Sequence, residues 1–126
     1  MSSEETLAAF LSARLDEDEA IAREAAGLTE CWVAEEPAIG VVLVDGEPLI
    51  EGHIAGLTAH IARHDPARVL REVEAVRAVV AAYEKSVRVV GEGLSVSNRR
   101  LVLAFAAVYG AHPDFRPEWA LPGRHR

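Results

Sequence analysis

His53, His60 and His64 stand at positions i, i+7 and i+11. On one continuous helix that spacing would bring three imidazoles to one edge of a single face. With Asp65, or with a carboxylate from the run Asp16-Glu17-Asp18-Glu19, they would make a histidine and carboxylate set suited to zinc or another divalent metal. Such a metal would support hydrolysis by activating water. A structural reading of the same residues competes with this one and asks for less. His64 falls where the helical pattern breaks, Asp65 before Pro66 is placed to cap a helix, and histidines at the edge of an apolar stripe commonly serve as partly buried hydrogen-bonding groups. No organic cofactor is predicted, and a divalent metal such as zinc is the alternative.

The acidic run invites comparison with magnesium-dependent, all-helical nucleotide hydrolases. Those sites need carboxylates from two helices converging on one metal and a phosphate. Here the second pair, Glu72 and Glu74, cannot face one direction at a spacing of two. A solvated charged face, in which Asp18 or Glu19 pairs with Arg14 or Arg23 at helical spacing, accounts better for the run. Arg63, Arg68, Arg71 and Arg77 alternate with Glu72 and Glu74, the pattern of a salt-bridged helix surface rather than an anion site. Gly91-Glu92-Gly93 lacks the lysine and the preceding strand of a phosphate loop, and no nucleophile elbow is present. No catalytic residues are predicted.

The elements that would position these groups belong to a chain of 126 residues, 50% hydrophobic and 26% charged, which predicts one globular domain. With 13 basic and 20 acidic residues the net charge is -7, so the overall field repels phosphate backbones and anionic lipid. Neither a nucleic-acid nor a membrane partner is expected. Cys31 is the single cysteine, which excludes an intrachain disulfide and predicts a small buried hydrophobe in a reducing compartment. The first turn carries Glu4 and Glu5 rather than the basic start of a signal peptide, and the apolar run at residues 101–109 is too short to span a membrane. A cytoplasmic location is the expectation.

Helical spacing of Leu7, Leu11, Leu15, Ala22 and Ala25, with Phe10 and Ile21 at the margin, predicts a first helix over residues 4–26. Ser2 or Ser3 would cap it and Gly27 would end it. Residues 29–50 then turn β-rich, and Asp45-Gly46 marks a tight hairpin turn. A short helix over residues 53–63 follows, with Ile54, Leu57 and Ile61 on one face. Asp65-Pro66 ends that helix and starts another, because the residue before proline avoids helical geometry while proline suits the first helical position. The new helix, residues 66–85, carries a seam of Val69, Val73, Val76, Val80 and Tyr83. The last helix, residues 98–109, is apolar almost all round and demands burial on several sides, and residues 110–126 form an irregular tail with Phe115 and Trp119 as aromatic anchors.

Residues 60–75, HIARHDPARVLREVEA, resemble the central signature of an uncharacterised family of short actinobacterial and actinophage proteins, a domain of unknown function. Residues 11–23, with Arg14-Leu15-Asp16-Glu17-Asp18-Glu19, look like that family's first helix, and residues 109–119 look like its closing tyrosine, His-Pro-Asp, aromatic and Glu-Trp segment. Many similar members carry several cysteines between the long central helix and the last one, in a spacing that suggests zinc. Residues 84–100 contain none here, so that site does not transfer. The resemblance implies no activity.

The expected fold is therefore α+β and mainly α: four to five helices around one core, with a small antiparallel β-hairpin inserted after the first helix, in a single domain spanning residues 1–126. Two functions fit. One is a small non-catalytic protein-binding or regulatory protein, a homodimer or the partner of another protein, with Leu101, Phe105, Val108, Phe115 and Trp119 as contact surface. The other is a metal-binding protein or metal-dependent hydrolase that uses His53, His60, His64 and Asp65.

Overall fold

A computed structural model describes residues 2–27, 31–35, 41–44, 47–51, 55–90 and 96–122. The chain is mainly helical, with helices α1 (Ser3–Ala26), α2 (Ala55–Arg63), α3 (Pro66–Val90) and α4 (Val96–Ala106) among those residues. Three short strands, β1 (Trp32–Glu35), β2 (Val41–Val44) and β3 (Glu47–Glu51), form an antiparallel sheet in sequence order. Trp32 pairs with Val44 and Glu35 with Val41, while the β2–β3 register shifts between Val42 and Leu43. Asp45 and Gly46, where the sequence places the tight turn, lie outside the described residues, as does Gly91-Glu92-Gly93.

Local chemistry sets the helix ends. The Ser2 hydroxyl accepts from the Glu5 backbone N–H at 3.1 Å and the Glu5 carboxylate accepts from the Ser2 N–H at 2.7 Å, a reciprocal capping box. Gly27 follows α1 with φ of 52°, a left-handed conformation in which a side chain would be strained. Asp65 caps α3, its Oδ1 accepting from the Arg68 N–H at 2.9 Å, and Pro66 takes the first helical position. α3 continues past Lys85 to Val90, because residues 86–90 contain neither glycine nor proline to stop it.

Contacts within the chain define two compact units, one of residues 1–17 and 74–126 and the other of residues 18–73. The first buries Leu7, Phe10 and Leu11 of α1, Val80 and Tyr83 of α3, Val102 and Ala106 of α4, and Trp119. α4 is not buried on several sides as its composition demands. Only the Val102 and Ala106 stripe, one turn apart, is enclosed, and Leu101 is half open to solvent. Residues 107–109 form a 3₁₀ turn rather than continuing α4. In the tail, Pro117–Trp119 makes a second such turn that carries Trp119 into the interior.

The second unit joins the C-terminal part of α1, the sheet, α2 and the start of α3, with α2 packed on β1 and β2. Its described interior is smaller: Ala22, Ala26, Thr58, Pro66 and Val73. The α1 stripe there runs through Ala22 and Ala26, which are four apart, so Ala25 faces outward and Ile21 is 65% exposed. Cys31 is exposed, which corrects the expectation of a buried thiol. It precedes β1, and the half-buried side chain at the start of that strand is Trp32.

Candidate functional site

Two sets of residues bear on function, one in each unit. In the second unit, residues 60–65 contain three of the four predicted metal ligands, of which His60 and His64 come together. His60 and His64 lie one turn apart, with ring centroids 4.3 Å apart and planes inclined by 34°. The His64 Nδ1 lies 2.8 Å from the His60 carbonyl oxygen. A carbonyl can only accept, so the His64 Nδ1 is the donor of this bond. Asp65 is committed otherwise. Its Oδ1 caps α3, and its Oδ2 accepts from the Trp32 backbone N–H at 3.1 Å, which ties β1 to the start of that helix. His53 lies outside the described residues. Among those described, no group of three His, Cys, Asp or Glu side chains comes close enough to hold a metal.

In the first unit, the predicted contact residues separate into two kinds. Leu101 is 51% exposed and Val108 is 77% exposed, while Phe105 and Phe115 are half-buried. Trp119 is 2% exposed and turned inward, with its ring centroid 5.1 Å from that of Phe10 and 5.7 Å from that of Phe115. It is an internal anchor for the tail. Leu101, Ala104 and Val108, at spacings of three and four, form an exposed apolar row along α4 and the turn that follows it.

One polar cluster of this unit has no counterpart in the sequence reading. Arg14, 8% exposed, donates from Nη2 to Glu17 at 3.0 Å and from Nη1 to His112 Nδ1 at 3.1 Å. Its guanidinium also lies 5.1 Å from the centroid of the Phe10 ring, and Asp114 approaches Nη1 at 3.9 Å. The same His112 nitrogen accepts from the Asp114 backbone N–H at 3.0 Å. Two donors converging on one ring nitrogen require its lone pair, so the His112 proton resides on Nε2. The cluster joins the Arg-Leu-Asp-Glu run of α1 to the His-Pro-Asp tail. Only the presence of both segments in the family pattern hinted at it.

The remaining charges pair largely as surface groups. Arg23 meets Glu19 and Arg68 meets Glu72, both at 2.8 Å, and Arg77 reaches Asp16 at 2.7 Å. Glu4, almost buried, lies 3.5 Å from Arg99. Among the described residues no helix is long and apolar enough to cross a membrane.

A family of unknown function, DUF6221, matches residues 4–121, and the chain belongs to that family. It matches no curated protein and no solved structure.

Proposed function

We infer that this member of DUF6221 is a non-catalytic binding protein whose partner is a second copy of the same chain. The observation that carries the reading is the exposed row Leu101, Ala104 and Val108. Its larger residues flank a small one, a pattern suited to self-association about a two-fold axis. Two such helices crossing antiparallel at Ala104 would bring Leu101 of each copy against Val108 of the other, and the alanine would let the axes approach to about 8 Å. The contact would cover apolar side chains that the isolated chain leaves in water. The single cysteine supports a cytoplasmic setting, and the resemblance of residues 60–75 supports an actinobacterial or phage source. Sedimentation velocity tests the reading. A dimer is expected for the natural chain, and a monomer with unchanged helical circular dichroism for Leu101→Asp and Val108→Asp. A monomeric natural chain, or dimeric variants, would refute it.

A second reading, metal binding, rests on the His60 and His64 pair. Two imidazoles one turn apart are a partial ligand set for zinc, with His53 as a third candidate in the sequence. Protein purified without a histidine tag would then contain near-stoichiometric metal by elemental mass spectrometry, lost in His60→Ala. Metal-free natural protein would exclude this reading.

A further inference from the structure

In the first unit, α4 and the end of the described tail flank a surface cleft of about 470 Å³. That volume falls within the usual range of small-molecule sites. Arg99, Arg100 and Leu103 line it from α4, and Ala120, Leu121 and Pro122 line it from the tail. Positions 99, 100 and 103 share one strip of the helix, since residues three and four apart are neighbours on its surface. Of these six lining residues two are cationic, four are apolar and none is acidic. The chain as a whole carries 20 acidic residues against 13 basic ones, so the described lining of this cleft reverses the prevailing charge.

The two kinds of lining suit two parts of one ligand. Arg100 is exposed, and among the described residues no carboxylate pairs with it, so its guanidinium donors are available to an anion. Arg99 already meets Glu4 through Nε at 3.5 Å, so its contribution is the smaller. A guanidinium holds a carboxylate through two parallel N–H···O bonds, each stronger than a bond to a neutral acceptor. Leu121 is 40% exposed and Leu103 is half-buried, and an alkyl chain laid along them and Pro122 would be withdrawn from water together with them. No aromatic ring is among the described lining residues, which favours an aliphatic chain over a stacked ring. We propose that this cleft binds an aliphatic carboxylate, with the acid group on Arg100 and a short alkyl chain along Leu103 and Leu121. The inference does not depend on self-association, because Leu101, Ala104 and Val108 occupy a different strip of α4 and the turn after it.

Octanoate is the probe, followed through the leucine methyl signals in carbon–proton correlation spectra of the natural chain. The Leu103 and Leu121 signals move saturably with octanoate. Leu57, 48% exposed in the second unit, reports any indiscriminate attraction to exposed apolar groups, and its signal stays in place. Octanamide, which keeps the chain and lacks the charge, binds about tenfold more weakly. Hexanoate, two methylenes shorter, binds several-fold more weakly. Arg100→Gln weakens octanoate binding about tenfold and leaves octanamide binding unchanged. An absent or unsaturable shift, an equal shift at Leu57, equal binding of octanamide, or unchanged octanoate affinity in Arg100→Gln would overturn the proposal. The comparison of octanoate with octanamide uses the natural chain, so it decides even where a variant fails to fold.

Discussion

Phe10, Tyr83 and Trp119 fill the interior of the first unit, whereas the described interior of the second consists of Ala22, Ala26, Thr58, Pro66 and Val73 beside a cavity of about 380 Å³. Each unit receives part of α1 and part of α3, and the second alone adds the sheet and α2. Along α1, the described side chains that the two units bury differ in size. The N-terminal part of α1 buries Leu7, Phe10, Leu11 and Leu15, while its C-terminal part buries only alanines. A helix that presents alanines to its neighbours cannot fill the space that a row of leucines fills. The first unit thus has the means of a rigid support for the α4 row.

The most severe way to erode that contrast is to empty the first interior. Trp119→Ala should cost about 3 to 5 kcal/mol in chemical denaturation, because it removes a buried ring that packs against both Phe10 and Phe115. Arg14→Met should follow, at about 2 to 4 kcal/mol. It leaves His112 Nδ1 with one donor in place of two and removes the partner of Glu17. The same measurement checks both. Asp65→Ala should act on the second unit by about 1 to 2 kcal/mol, since one carboxylate both caps α3 and binds the Trp32 amide. Its signature is faster hydrogen exchange at the Trp32 and Arg68 amides, with those of residues 7–11 unaffected.

The capping box should give the smallest effect. The Ser2 backbone N–H holds the Glu5 carboxyl below its ordinary value of 4.5, opposed by loss of water around the carboxyl and aided by the Ser2 hydroxyl and the terminal ammonium. Because the folded value is the lower one, the stabilisation is present above about pH 4.5 and fades as pH falls through the folded value. The difference in Tm between the natural chain and Glu5→Gln should therefore shrink on acidification over that interval.

Much of the helical framework was legible because its signals are local. Ser2, Gly27, Asp65 and Pro66 each act within a few residues, and the valine seam of α3 needs only its own periodicity. The surroundings of α4 were not legible. Its composition states how apolar it is, and only the packed chain shows that Val102 and Ala106 are enclosed while Leu101 and Val108 meet water. The Arg14 and His112 contact joins residues 98 apart in the chain, which no spacing rule reaches. Asp65 was open to two uses, ligand or cap, and its two backbone donors show the cap.

Native-state hydrogen exchange, resolved by residue, tests the contrast between the units most directly. The account predicts that amides of α1 near Leu7 and Leu11, and of α3 near Val80 and Tyr83, exchange only through global unfolding. Those of α2 and of α1 near Ala22 should exchange through openings of lower free energy. Equal protection in both groups, or higher protection around the cavity than around Trp119, would contradict it.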